Sequence, residues 1–348
     1  MKKSFLFIVM ILILTFTAPI YAVDINAKAS GMGGAFTAIS DDASAIYWNP
    51  AGLTEIAHMG LSPSVGIHTS TRTSWEKFNE VASGDILDSP GNAEVSMAAI
   101  LGLGMGNYGA GIIASGQVLL TAEEDNKADG KAQYILAYTV STARKVTSPK
   151  WNLGAISVGL NFKALEGRRY NYDVVPTGES TYNVDWVDAR GTGYSADMGI
   201  RIKFTDSITI GLMIRDLISN MTWRESITSS SKNAETGEEE VVNSYTASSQ
   251  ERFDALVRAG VAVDVPYIGT TLAADMERDG SLYFGLEKRL LFNGISLRAG
   301  KSMPANGEGL ITLGAGINLG PVSVDASVGS KDEFKEDLAA MVSGKIRF

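Results

Sequence analysis

Charged side chains at alternate positions of extended segments are the groups in this chain best placed to do chemistry. Over 195–203 the order is Ser195, Ala196, Asp197, Met198, Gly199, Ile200, Arg201, Ile202, Lys203. Asp197, Arg201 and Lys203 therefore project from one side of an extended chain, and Ala196, Met198, Ile200 and Ile202 from the other. The same alternation puts Arg215, Arg258, Asp264, Asp275, Glu287, Arg298 and Asp325 on the polar sides of their segments. Mixed charges on one enclosed face pair with one another to offset their desolvation, and that pairing is the favoured expectation. The alternative chemistry is recognition. Arg201, Arg215 and Arg298 are candidate donors to the acidic head of an amphipathic solute, with Asp197 on the same face.

Other constellations fail on context. Residues 102–109, GLGMGNYG, satisfy a GxGxxG pattern. A dinucleotide site needs a helix after the glycines, whereas Tyr108 to Val118 reads as strand, so these glycines predict a turn. Asp125, Asp129 and Gly130 have the spacing of a calcium loop, but Lys127 occupies a ligand position and Leu136 stands where a Glu is required. The only histidines are His58 and His68, with no GxSxG elbow and no His-x-x-x-His pair. His68 lies near the rim end of its strand, where a surface hydrolase would need it, yet a lone strand histidine is ordinarily structural. There is no Cys, so no disulfide, thiolate ligand or thiol nucleophile. No enzyme activity, cofactor or metal is expected.

The elements that position these charges are strands. Ile311, Leu313, Ala315, Ile317 and Leu319 alternate with Thr312, Gly314, Gly316 and Asn318, and Val322, Val324, Ala326 and Val328 with Ser323, Asp325 and Ser327. Segments of about ten residues with one apolar face predict a transmembrane antiparallel β-barrel. The period places strands at 59–68, 93–104, 107–119, 131–142, 152–165, 192–204 and 207–217. Seven more fall at 250–264, 268–277, 281–291, 294–302, 309–319, 321–329 and 337–348. That is about fourteen, an even number. Short turns near 104–106, 205–206, 266–267, 292–293 and 320–321, with 143–150 the longest of their set, alternate with longer connections at 69–92, 120–130, 166–191, 218–249, 303–308 and 330–336. Only Asp279-Gly280 is short where a long connection is expected. Such an alternation puts the turns at one end of a barrel and the loops at the other.

Lys2 and Lys3, an apolar run from Phe5 to Ala18 and a small residue at Ala22 predict a secretory signal peptide over 1–22. No later apolar stretch reaches the roughly 20 residues of a spanning helix. Thirty basic against 39 acidic residues give a net charge of −9. An acidic chain without a basic block is a poor nucleic-acid binder. Residues 23–58 read as a compact knot of turns, too short to bury a core alone. Gly31, Gly33 and Gly34 permit close backbone approach, Asp41-Asp42 precedes a short helical turn, and Pro50 disfavours helix at Asn49.

Those same residues carry a resemblance. Gly31-Met32-Gly33-Gly34-Ala35-Phe36, then Asp41-Asp42 and Asn49-Pro50-Ala51-Gly52-Leu53, resemble the N-terminal region of FadL-like outer-membrane proteins, and within them the PorV/PorQ-type group. The resemblance implies that 23–58 sit as a hatch or plug inside a barrel formed by 59–348. It further implies passive uptake of hydrophobic or amphipathic compounds, such as long-chain fatty acids, in the bacterial outer membrane. A PorV-like role as partner of secretion-system proteins, or a purely structural barrel, are its alternatives. Asp41 and Asp42 are candidate partners of the lumen arginines. The last strand ends on Phe348, which resembles the signal read by the outer-membrane assembly machinery. Expected contacts are therefore outer-membrane lipid, that machinery and a hydrophobic small molecule, with no nucleic acid.

Overall fold

Strands apolar on one face only are stable in lipid when they close into a ring, because an open edge would leave backbone donors and acceptors unpaired there. The computed structural model describes residues 25–69, 91–122, 127–146, 154–178, 181–233, 236–305, 309–331, 334 and 337–348, and it shows such a ring. Its first half is β1 (Gly60–Thr69), β2 (Gly91–Met105), β3 (Tyr108–Ala122), β4 (Ala128–Val146), β5 (Ile156–Pro176), β6 (Thr181–Lys203) and β7 (Ile208–Asn233). After β8 (Glu239–Glu251) come β9 (Leu256–Val265), β10 (Thr270–Glu277), β11 (Leu282–Leu290) and β12 (Ile295–Met303). The last three are β13 (Ile311–Asn318), β14 (Val322–Ser330) and β15 (Leu338–Arg347). Each pairs antiparallel with the next, except that β7 pairs with β9 through 208–215 and with β8 through 221–232. β15 returns to β1, with Val342 opposite Val65. The closed ring has fourteen strands, and β8 is an added segment along the far half of β7.

The outward faces carry Leu101, Val140, Phe162, Ile218, Leu313 and Val342, all exposed, while their neighbours in sequence turn inward. The tight turns fall where expected, with left-handed glycines at Gly106 (φ 56°) and Gly320 (φ 84°), whereas β4 runs through the start of the turn expected at 143–150, the rest of which lies outside the described residues. Two long connections differ from expectation. Most of 166–191 and 218–249 is strand: β5 runs on to Pro176, β6 starts at Thr181, and β7 and β8 form a hairpin. Beyond the apolar band both strand faces meet water, so the alternation disappears although Thr, Tyr, Val and Ser still suit extended chain. The strand expected at 250–264 is also split, with 252–255 outside any ladder. The leader and most of the 69–92 connection lie outside the described residues.

Residues 25–55 fill the ring. They form α1 (Ala27–Gly31), α2 (Ala45–Trp48) and a 3-10 turn over Pro50–Glu55, connected by turns and almost wholly buried. α1 packs against β12 to β15 and the 3-10 turn against β4 to β6. The barrel's main apolar cluster joins plug to wall, with Ile25, Ile46 and Leu53 against Ile100, Ile113 and Leu165.

Candidate functional site

The plug is held by its own polar groups. Asn26 donates through Nδ2 to Asp42 (3.1 Å) and Ser44 (2.9 Å), while Asp42 accepts from the Ser44 amide (2.8 Å). Lys28 pairs with Asp41 at 2.7 Å. Burial alone would lower the Lys28 pKa, and the Asp41 charge overcomes it, leaving the ammonium above its ordinary range. Burial alone would raise Asp41, and Lys28 with Lys345 hold it well below the usual carboxylate range. The expected pairing of Asp41 and Asp42 with the lumen arginines is therefore corrected. Both acids are satisfied by neighbours only a few turns away in the plug, which already lie within reach.

Asn49 and Pro50 bind the plug to the wall. Asn49 Nδ2 donates to the carbonyls of Thr37 (2.9 Å) and Ile200 (3.1 Å), and its Oδ1 accepts from the Ala51 amide (3.1 Å). Pro50 opens the 3-10 turn, where its missing N–H has no partner to lose. Opposite them the wall is glycine: a Cβ on Gly199 would strike Asn49 and Pro50, and one on Gly159 would strike the Pro50–Ala51 backbone. Gly33 combines φ 64° with the Lys301 and Phe284 backbones at its Cα, so no other residue fits. Gly52 packs in the same way on Ser40, Gly31 on Gly314, and Gly34 accepts from Arg258 at 3.1 Å.

The lumen charges are mostly paired. Arg298 is clamped between Glu287 and Asp325, both at 2.7 Å, and Arg201 between the Ala38 carbonyl (2.9 Å) and Glu55 (3.1 Å). Arg258 pairs with Glu277 and stacks on Tyr283 (4.1 Å). Asp275 accepts from the amides of Phe36 (3.0 Å) and Thr37 (2.9 Å). His68 meets Asp337 at 3.1 Å. Arg201 and Arg298 are thus structural clamps, while Arg215 and Asp197 reach an open space.

That space is a cavity of about 420 Å³ above the plug. Ile46, Ile113, Ile135, Ala137, Leu165 and Phe253 form its walls; Tyr47, Arg215, Lys163, Asp197 and Asp216 form its polar end. Over it, Arg169 stacks on Trp223 (4.3 Å) and pairs with Glu251 (2.8 Å), which also accepts from the indole N–H (2.8 Å). Arg215 lies 4.0 Å over the Tyr47 ring and donates to its carbonyl (3.2 Å). The same two residues also line a second, more polar chamber of about 220 Å³ beside Trp48, His68, Arg258 and Glu277. They therefore form the partition between the two.

Beside the larger cavity the wall is irregular. β7 inserts extra residues opposite Asp197, Asp216 takes φ 54°, and 216–220 have no ladder to 252–255. Lys163 bridges Asp197 and Asp216, both at 2.7 Å, and Asp197 accepts from the Asp216 amide (2.9 Å) and Asn161 (2.8 Å). Sequence reasoning missed Tyr47, Asn161, Lys163, Asp216, Trp223 and Phe253. One signal was present: Arg215 and Asp216 are adjacent charges inside an alternating strand, and both are enclosed here because β7 bulges between them and Ile218.

The architecture matches that of known channels. A TodX monoaromatic hydrocarbon channel variant from Pseudomonas putida superposes with TM-score 0.67 at 14% identity, covering 93% of this chain and 98% of that one. The Ralstonia pickettii toluene transporter TbuX gives 0.65 at 12% identity (93% and 98%), and a Pseudomonas aeruginosa FadL homologue 0.62 at 13% (96% and 100%). The chain has the FadL fold. No protein-family model matches the sequence, and no curated protein is similar to it.

Proposed function

We propose that the protein takes up a hydrophobic or amphipathic small molecule across the bacterial outer membrane. The observation that carries this is the 420 Å³ cavity above the plug, apolar along its sides and polar at one end, beside a break in the wall ladder. Pockets of this size bury most of a small ligand. Cargo with an apolar body and one acidic end, long-chain fatty acids among them, would lay its body on Ile113, Ile135 and Leu165 and its head toward Arg215. Hydrocarbon cargo of the kind named for TodX and TbuX would use the walls alone. Passage requires the Tyr47–Arg215 partition or the Lys163 bridge to move. On this reading the leader delivers the chain to the periplasm and Phe348 serves the assembly machinery.

The test is saturable binding of a labelled fatty acid and of toluene to purified protein. Ile113→Trp fills the cavity from its wall and should lower affinity for the bound class at least tenfold, with the heat-modifiable mobility of the folded barrel retained. Binding of neither class, or binding unaffected by Ile113→Trp, would defeat the proposal.

One observation favours the secretion-partner reading attached to the PorV/PorQ-type motif. β8 is an exposed edge strand with Val241 60% and Val242 69% exposed, open to an added strand from an exported protein. Proline at Ser244 and Thr246 would block such pairing. Unchanged secretion in that variant would rule the reading out.

A further inference from the structure

The outward face of the barrel holds an arrangement that neither the cavity nor the plug explains. Arg168 on β5 stands directly opposite Arg190 on β6, which stands directly opposite Arg224 on β7. Neighbouring strands lie about 4.8 Å apart, and like charges directly opposite one another are destabilising. The row faces away from the lumen: Arg190 and Arg224 are exposed and Arg168 half-buried, whereas the adjacent Ala189 and Trp223 are fully buried on the inner side. Tyr134 and Ser248 continue the row at its two ends. Glu166 and Asp188 share this face, one row below and one row above. Even so, none of the three arginines forms an ion pair among the described residues, and Arg168 is bonded to the Tyr170 hydroxyl.

Directly beneath, on the same strands, lies a concave groove of about 820 Å³. Ile112, Tyr138, Val140, Phe162, Tyr194 and Ile218 line it, all exposed on the barrel exterior. Ala164 and Tyr194 are each four residues from Arg168 and Arg190, roughly 13 Å along the strands. Exposed aromatic residues at the end of an apolar band mark the membrane–water interface. The arginines therefore stand at headgroup height, with an apolar trough running from them into the bilayer.

We propose that this face binds one phosphate-bearing lipid of the outer leaflet, its acyl chains in the groove and its phosphate on Arg168, Arg190 and Arg224. Planar guanidinium groups hold phosphate through paired donors, and an anion placed across the row offsets repulsion that the nearby Asp188 compensates only in part. The three arginines and the apolar side chains of the groove lie on the opposite face of the wall from the cargo cavity, and Lys163 borders both.

The test uses the purified full-length protein in detergent, with bis-phosphorylated lipid A as probe and native mass spectrometry as readout. One retained lipid per barrel is expected. Affinity should fall at least tenfold for dephosphorylated lipid A, and at least tenfold for the R168Q/R190Q/R224Q variant, whose heat-modifiable mobility confirms folding. Should the triple variant fold poorly, R190Q and R224Q taken singly are both exposed and each should lower affinity severalfold. Equal binding by wild type and variants would overturn the proposal. So would full displacement of the lipid by inorganic phosphate at equal concentration, which would make the row a phosphate site without acyl recognition.

Discussion

At the scale of single residues, the plug is fixed by a few side chains that hydrogen-bond across chain segments far apart in sequence. Asn49 is fully buried and satisfies Thr37, Ala51 and Ile200 at once, so it ties two parts of the plug to β6. Asn49→Ala leaves two buried carbonyls and an amide without that partner, at a cost of about 1–3 kcal/mol. The loss should appear as faster hydrogen exchange over 36–56 with strand amides unchanged; unchanged exchange in the plug would refute this role. The Asn49-Pro50 motif stands out in the sequence, but the partners of Asn49 do not. Asp41 and Asp42 show why: formal charge predicts attraction to arginine, yet Lys28 and Asn26 lie closer along the chain and satisfy them first. Pairing of the lumen charges was legible as a class, since enclosed charges must be compensated.

Among the elements, the strands inside the apolar band were legible because lipid and lumen impose opposite polarity on successive residues. Where β5 to β8 rise beyond the band that contrast ends, and the sequence there reads as loop. The same limit hid the break opposite 216–220, because a missing ladder leaves no trace in composition. That break supplies the next expectation. Ser219 Oγ accepts from the Phe253 amide (2.9 Å) and donates to its carbonyl (3.2 Å), so side chain and backbone, not a ladder, hold the two segments together. The chain has no Cys, so Ser219→Cys with Phe253→Cys introduces a single disulfide. If cargo leaves the cavity past this seam, the oxidised variant retains binding in detergent but loses delivery into vesicles, and reduction restores it. Delivery unaffected by oxidation would place the exit elsewhere.

For the whole molecule, strand number sets how much space must be filled. Eight-stranded barrels close on their own side chains, and those with 16–18 strands leave an aqueous channel. Fourteen strands lie between these limits, and here residues 25–55 occupy the surplus, with wall glycines letting backbone pack on backbone. The seal is chemical as well as steric. Arg201, Arg215, Arg258 and Asp275 all bond to plug backbone, so displacing the plug must break several buried polar contacts together. Native protein in planar bilayers should accordingly carry almost no ionic current, even though small molecules enter its cavity. A variant lacking 25–55 keeps all fourteen strands and should show a steady conductance, since the Glu287–Arg298–Asp325 cluster remains paired within the wall and supports the ring without the plug. Steady conductance by the native protein, or none by the folded plugless barrel, would show that something other than the plug sets the permeability of this ring.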